Sequence, residues 1–262
     1  MSKFRVTFLG TGTSQGVPMI GCDCAVCRSE DPRNNRMRCS IYIETDAGSM
    51  LVDTTPDLRT QALRSNLRQV DAVLMTHTHT DHVAGFDDLR RFSDLANVEI
   101  PIYASPATCA EVRRMFPFVF DGPPKKAPYL RARLCPLEIN KPVESIGCRV
   151  TPVNLPHGRM TTTGFLFEQD GAVKLAYLND CKEVPEDVLK QSIGARVMVL
   201  DALRFREHPT HMCLDDALAV VRRAKPARAF LTHMTHEIEH GKVSAELPES
   251  VALAYDGLVV EV

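Results

Sequence analysis

Apolar residues occur in short runs separated by single Gly, Pro or Asp residues, a pattern typical of an α/β protein. Near the start of the chain, three such runs predict strands, at residues 4–9, 41–45 and 50–52. Turn residues 46–49 predict a hairpin between the last two strands, and residues 57–66 have the apolar spacing of a helix. Residues 70–75 form an apolar run that ends in a polar cluster, as an interior strand does when it delivers a reactive loop to a sheet edge.

The same pattern continues through the rest of the chain. Further strands are predicted at residues 102–104, 148–153, 163–168, 173–177, 197–200 and 229–231, and helices at residues 107–116, 185–191 and 214–224. Strands outnumber helices, hairpins occur in both halves, and the sequence shows no internal repeat. We therefore expect one domain over residues 1–262.

Two segments depart from this pattern. Residues 117–136 contain five prolines and a pair of lysines, which predicts a long excursion, either a flap over a cleft or an ordinary surface loop. The Gly-rich turn of residues 10–16 lacks both the GxGxxG spacing and a following Walker lysine. Nucleotide binding is therefore not expected there.

The composition narrows the class of protein. With 262 residues, 44% of them hydrophobic, the chain can bury a large core, and its net charge of -2 favours neither a polyanion-binding surface nor an acidic tail. No run approaches the roughly 20 apolar residues of a membrane span, and the first residues lack the apolar core of a signal peptide. Nine cysteines, three of them within six positions, suit reduced thiols and a metal better than disulfides, so we expect a cytoplasmic protein.

The polar cluster after residues 70–75 contains the candidate metal-binding residues. It reads HTHTDH and places His77, His79, Asp81 and His82 within six residues. Imidazole and carboxylate groups suit Zn, Mn, Fe or Ni, and so many polar groups beside a core are costly unless something binds them. A lone histidine would be interpreted as structural, whereas four donors at this spacing predict a metal site.

An HxHxDH motif after an apolar strand resembles the signature of the metallo-β-lactamase superfamily. The resemblance implies an αββα sandwich of two mixed β-sheets flanked by helices, and a hydrolase with a dinuclear metal site. It also implies ligands at later strand ends, where this chain has His157, Asp180 and His233, each of which alone would be an ordinary loop or turn residue. On this resemblance the first metal is held by His77, His79 and His157, the second by Asp81, His82 and His233, and both by Asp180.

A second cluster consists of Cys22, Cys24 and Cys27, whose thiolates suit three corners of a tetrahedral zinc site. Within the superfamily this run resembles the PhnP-type phosphodiesterases, the cyclic phosphate hydrolases of phosphonate breakdown. The resemblance implies that His236, three residues after His233, completes a structural zinc site that is closed to solvent. The other cysteines are interpreted as small hydrophobic core residues, namely Cys39, Cys109, Cys135, Cys148, Cys181 and Cys213.

The resemblance also suggests a proton donor. His211 precedes His233 by 22 residues, where PhnP-like enzymes place a catalytic histidine, and the alternative is a residue that only begins the next helix. Asp81 is assigned a second role, orienting the attacking water. Arg204 or Arg206 either holds the phosphate or forms a surface ion pair.

Two other histidines receive no catalytic role: His208 does not align with the family position, and His240 is predicted to be solvated or to lie at a helix end. The preferred function is a metal-dependent phosphodiesterase acting on a small or cyclic phosphodiester, such as a phosphoribosyl cyclic phosphate. We expect two divalent ions, Zn or Mn, at the active site and one structural Zn.

Three alternatives stay open. A nuclease of the ribonuclease Z type is disfavoured because no basic arm is visible, and a thioester or lactam hydrolase because those relatives lack the cysteine run. A non-enzymatic scaffold would not need seven retained ligands. We expect a small phosphodiester partner and neither a membrane nor nucleic acid, while a homodimer is compatible with the sequence but not required by it.

Overall fold

Two mixed β-sheets of seven strands each form the centre of the part of the chain that the structure, a computed structural model, describes: residues 2–121 and 129–262. In spatial order the first sheet contains β14 (Val259–Glu261), β1 (Phe4–Gly10), β2 (Ser40–Thr45), β3 (Gly48–Val52), β4 (Ala72–Leu74), β5 (Ile100–Ala104) and β6 (Ala132–Pro136). The second contains β13 (Val251–Leu253), β12 (Arg228–Thr232), β11 (Val197–Asp201), β10 (Ala172–Leu178), β9 (Met160–Gln169), β8 (Cys148–His157) and β7 (Val143–Ser145).

Each sheet is antiparallel on one side and parallel on the other. In the first sheet the pairs from β14 to β3 are antiparallel and those from β3 to β6 are parallel. In the second sheet the pairs from β13 to β10 are parallel and those from β10 to β7 are antiparallel. The parallel strands of both sheets matter most here, because their carboxyl ends carry the candidate site.

Helices complete a four-layer αββα arrangement. The first sheet packs against α1 (Leu58–Arg64), α3 (Leu89–Ala96), α4 (Pro106–Met115) and α5 (Pro117–Phe120), and the second against α6 (Glu186–Ser192), α7 (Leu214–Ala224) and α8 (His240–Ser244). The alternation along β9 shows how the layers form. Phe165 and Phe167 enter the core between the sheets, whereas Leu166 enters the core beneath the helices.

The predicted fold class is confirmed, and every strand and helix predicted from apolar runs is present, most of them with shifted ends. The shift is largest in the β8–β9 hairpin, where both strands extend by four or three residues toward their shared turn, as β8 (Cys148–His157) and β9 (Met160–Gln169). The missed strands β6, β7, β13 and β14 are short and lie near or at the sheet edges, where exposed residues break up the apolar runs.

The Pro-rich segment of residues 117–136 differs from the expected excursion. Its first residues form α5, and its last residues form β6, which pairs in parallel with β5. These ends are therefore part of the layered fold, and the middle of the expected flap, residues 122–128, lies outside the described residues. No helix within the described ranges has the length and apolar character needed to cross a membrane.

Candidate metal centre

The HTHTDH loop leaves the buried strand β4 and enters a single turn of helix, α2 (Thr80–Val83). His79 is the residue before this helix, so the chain direction changes between His77 and His82. Both of these side chains are buried, whereas His79 is exposed. This short segment therefore places several donor side chains close together after β4 and within α2.

The structure brings all seven predicted ligands together. The donor atoms of His77, His79 and His157 lie within 4.8 Å of one another, and so do those of a second group, Asp81, His82, Asp180 and His233. Asp180 Oδ2 lies 2.8 Å from His82 Nε2 and 3.3 Å from His77 Nε2, so this carboxylate lies between the two groups. The position suits a bridging ligand.

The chemistry of these donors fits two divalent cations. The Nε2 atoms of His77 and His233 are buried and have no hydrogen-bond partner among the described residues. Such buried polar atoms cost free energy unless something binds them, and neutral imidazole with carboxylate is a donor set for Zn or Mn. The cluster therefore fits a dinuclear site.

Protonation favours the same interpretation. Burial lowers the pKa of His77 well below its ordinary value and also lowers the pKa of His157, which keeps both rings neutral. Burial would raise the pKa of Asp180, but His233 and hydrogen bonds from neighbouring histidines hold it well below its ordinary value. His77 and His157 thus offer neutral imidazoles and Asp180 an ionised carboxylate, the forms that bind metal. Against its burial, Asp53 and Asp180 raise the pKa of His82 well above its ordinary value, so this ring would release a proton when a metal binds.

Two hydrogen bonds orient the ligand rings. The Nδ1 atom of His82 lies 2.7 Å from Asp53 Oδ2, and that of His157 lies 3.0 Å from the Thr210 carbonyl oxygen. Asp53 is itself fixed, since it also accepts hydrogen bonds of 2.8 Å from the Thr76 amide and hydroxyl. With Nδ1 occupied, Nε2 of each ring is left for the metal.

Asp53 is a functional residue to which the sequence assigned no role. Its only sequence signal is its place directly after β3, because an acidic residue at the end of a parallel strand belongs to the same sheet edge as the ligands. Its backbone has a φ of 64°, uncommon for a residue other than glycine. Thr210 gave no signal, since it contributes through its carbonyl group.

His211 lies in the cleft wall and does not simply begin a helix. Its Nδ1 atom is 3.0 Å from Asp201 Oδ2 and 3.0 Å from Asp180 Oδ1. Burial opposes protonation, but the hydrogen bonds to these two carboxylates raise the pKa of His211 to about 9. The two carboxylates thus favour the protonated ring, and among the described residues its Nε2 atom has no hydrogen-bond partner.

The other candidate residues make different contacts: the two arginines bond other groups, and His208 lies beside His211, with the ring centroids 5.1 Å apart. Arg206 forms an ion pair with Glu237 at 2.9 Å, and Arg204 donates to carbonyl groups of its own loop, so neither is available to hold a phosphate. His208 bonds the Thr210 hydroxyl at 3.1 Å. His240 begins α8 as expected, but it is buried where a solvated residue was the other expectation.

Five of the seven predicted metal ligands line an open cleft of about 410 Å³, namely His79, Asp81, His157, Asp180 and His233. The other lining residues are a mixture of polar, apolar and basic side chains: Ser14, Arg159, Met160, Thr210 and His211. The volume suits a compact ligand.

The cysteine cluster forms a separate site. The Sγ atoms of Cys22, Cys24 and Cys27 lie 3.2, 3.4 and 3.6 Å from Nδ1 of His236. Ligands at the corners of a zinc tetrahedron are roughly 3.5 Å apart, so this group fits a structural zinc. The Cys27 amide also lowers the pKa of the Cys24 thiol to about 6, which favours the thiolate that binds metal.

Two expectations about the cysteines need correction. The zinc-site side chains are half-buried, not closed to solvent, although four protein ligands leave no position for a substrate. Cys135 is also half-buried, because it lies on β6 at the edge of the sheet. The remaining cysteines are buried as expected, namely Cys39, Cys109, Cys148, Cys181 and Cys213.

Comparison with known proteins gives a consistent picture. Residues 49–234 match the model of the β-lactamase superfamily domain. The structure is similar to that of a diphosphatase from the PhnP family, with a TM-score of 0.90, 34% identity and coverage of 99% of this chain and 98% of that one. Zn²⁺-bound PqqB from Methylobacterium extorquens has the same fold, with a TM-score of 0.79, 22% identity and coverage of 98% and 100%.

In sequence, the chain is 35% identical over 258 residues to an octanoyltransferase from Porphyromonas gingivalis. The match covers 97% of this chain but 51% of that protein, so the chain spans about half the length of this relative.

Proposed function

The chain belongs to the metallo-β-lactamase superfamily, and from this premise we propose that it is a dinuclear metal-dependent hydrolase that cleaves a small or cyclic phosphodiester. The observation that carries the proposal is the pair of ligand groups that share Asp180 and face the same cleft as His211. The two groups would hold one cation each, and the protonated ring of His211 beside them would donate the proton that an alkoxide leaving group needs.

The cations, when bound by the two groups, would neutralise negative charge on the phosphoryl oxygens and lower the pKa of water. The chain's own residues then manage the protons. The Asp201 and Asp180 carboxylates hold Nδ1 of His211, so its Nε2 proton is the one available to the departing oxygen. Asp81 stays ionised, because His233 and His82 hold its pKa well below the ordinary value against its burial.

An ionised Asp81 accepts hydrogen bonds and does not donate them. Its proposed second role is therefore to orient the attacking water by accepting one of its protons. Asp81 lines the cleft on the side of His233, so its carboxylate faces the space that the substrate would occupy.

A second candidate function is cleavage of a phosphoanhydride. The similar PhnP-family structure is described as a diphosphatase, and its 34% identity over nearly the whole chain favours testing this class of bond. Acyl transfer is not proposed, since the octanoyltransferase name describes a protein of which this chain matches about half.

A hydrolysis panel tests the assignment. We expect rapid turnover of bis(4-nitrophenyl) phosphate and a ribose cyclic phosphate, slow turnover of 4-nitrophenyl phosphate, and no hydrolysis of a thioester, in the presence of Zn, Mn or Ni. A precursor tRNA assayed across a salt series separates the nuclease alternative, because long nucleic acid would show a steep loss of rate with salt. Turnover of a nucleoside diphosphate sugar alone would replace the phosphodiester assignment with the phosphoanhydride one.

A further inference from the structure

Arg159 is a basic side chain at the mouth of the cleft. It lies in the turn between β8 (Cys148–His157) and β9 (Met160–Gln169), two residues after the ligand His157, and it lines the cleft. The side chain is exposed, and within residues 2–121 and 129–262 it has no ion pair or side-chain hydrogen bond. Among the described cleft-lining residues it is the single one with a permanent positive charge.

The backbone of this turn is held against the loop that carries His211. Gly158 has a φ of 63°, and a Cβ added there would lie 2.6 Å from Cγ2 of Thr210. On the other side, His157 Nδ1 bonds the Thr210 carbonyl oxygen at 3.0 Å. His157 also pairs with Met160 across the turn, so the backbone that carries Arg159 is fixed on both sides of this residue.

Arg159 lies at the entrance of the cleft, away from the place that the reacting atoms of a substrate would occupy. The ligand groups are mostly buried, whereas Arg159 is exposed at the rim beside Met160. A phosphodiester held at the ligand groups would extend its remaining atoms toward this rim. Arg204 and Arg206 already bond other partners and do not line the cleft, so an anionic group on that part of the substrate would meet Arg159.

We propose that Arg159 is a specificity-determining residue, which binds a second anionic group of the substrate, separate from the scissile phosphodiester. This inference rests on the proposed function. The planar guanidinium can form two parallel hydrogen bonds with a phosphoryl or carboxylate group, and the fixed backbone turn keeps this side chain at the rim of the cleft. The favoured substrates are compact phosphodiesters that carry one further anionic group.

The kinetic test compares two substrates that differ in one group: adenosine 2′,3′-cyclic phosphate, and the same compound with a 5′-phosphate. We expect the wild-type protein to favour the second by about five- to tenfold in kcat/KM, mainly through KM. Arg159→Gln should remove this preference, so that the ratio of kcat/KM between the two substrates falls to about one. Arg159→Lys should keep part of it, because the charge remains but the two parallel hydrogen bonds do not.

A matched control is Arg222→Gln, which removes the same charge from an exposed position on α7 (Leu214–Ala224), outside the cleft lining. This control should keep the preference. An equal loss in Arg222→Gln would assign the effect to net charge, and an equal loss of Arg159→Gln activity on both substrates would assign Arg159 to the scissile group. Either result overturns the proposal.

A binding measurement tests Arg159 independently of turnover. Calorimetric titration of the metal-loaded protein with adenosine 3′-phosphate and with adenosine 3′,5′-bisphosphate should give about fivefold tighter binding of the bisphosphate in the wild type. The difference should vanish in Arg159→Gln. If neither cyclic phosphate is hydrolysed, the proposed function fails while this comparison still decides the role of Arg159, and equal binding of both ligands by the wild type would refute that role.

Discussion

At the scale of single residues, the protonation of His211 depends on the two carboxylates beside it. Its Nδ1 atom faces two carboxylates, Asp180 beside the metal ligands and the fully buried Asp201 at the end of β11. Nδ1 keeps its hydrogen and donates it to these carboxylates, and the second proton of the imidazolium lies on Nε2. The ring is thus prepared to act as an acid toward the cleft.

Replacing His211 with Ala should therefore slow substrates in proportion to the charge left on the departing oxygen. We expect turnover of an alkyl phosphodiester to fall by about 100-fold or more, and that of a nitrophenyl phosphodiester by less than about tenfold, because nitrophenolate leaves without a proton. Steady-state kinetics on both substrates measures this, with metal content checked in the variant. Equal losses on both would assign His211 to positioning or phosphate binding.

His240 illustrates a residue whose environment opposes its charge. Burial, together with the nearby Arg33 and Arg36, lowers its pKa from 6.5 to about 4. As the pH falls from 6.5 to 4, the unfolded chain takes up a proton that the folded chain refuses, so this residue lowers the free energy of unfolding. Above pH 6.5 the ring is neutral in both states and has no such effect.

His240→Gln should remove this pH dependence. We expect the stability difference between the wild type and the variant to shift in favour of the variant by about 1–3 kcal/mol between pH 7 and pH 4.5. Urea unfolding at several pH values measures the difference, and other titrating groups cancel because both proteins share them. Parallel stability curves would show that the ring accepts its proton without cost.

At the scale of elements, the long loop between β1 and β2 is attached to the loop after β12. The buried Arg36 donates hydrogen bonds of 2.9 Å to the Thr235 carbonyl and 2.7 Å to the Ile238 carbonyl. The cysteine cluster makes a second attachment through His236, between these two carbonyls in sequence. A zinc at the cysteine cluster would therefore stabilise the connection between these two loops. The loop after β12 also contains the predicted metal ligand His233.

Cys24→Ser or His236→Ala should consequently lower stability more than activity. We expect the midpoint of thermal unfolding to fall by roughly 5–10 °C, while the two cleft metals stay bound. Cys135→Ser is the matched control, since Cys135 is also half-buried but belongs to no donor cluster among the described residues. A variant that kept its thermal midpoint but lost turnover would move this cluster into the active site.

At the scale of the whole molecule, the candidate site lies where the parallel strands of both sheets end. Asp53 follows β3, the HTHTDH loop follows β4, Asp180 follows β10 and His233 follows β12. Packing the two sheets face to face brings these strand ends together, so the site forms only when both sheets are assembled.

The whole molecule should hold three metal ions in two populations. Elemental analysis of the loaded protein should approach three per chain. Mild chelation should remove the two cleft ions first, because their groups face an open cleft, whereas three thiolates and an imidazole would complete the zinc site. Two metals in a fully loaded protein, or loss of all three together, would count against the separate structural site.

The sequence by itself determined the features that depend on local spacing. Apolar runs and their turns predicted the interior strands, because alternation and apolar length are properties of adjacent residues. The HTHTDH loop and the three clustered cysteines were also recognisable, since several donors within a few residues rarely occur without a ligand. The later ligands His157, Asp180 and His233 were predicted through the family resemblance.

Only the tertiary structure decided which residues meet across the chain. It selected Arg159 over Arg204 and Arg206 as the basic residue of the cleft, and it assigned Asp53 to orient His82. In the structure His240 is buried at the start of α8, whereas the sequence predicted either a solvated residue or one at a helix end without deciding between them. These outcomes depend on how two sheets pack and which strand ends they bring together, and such contacts between distant segments leave no periodic signal in a single sequence.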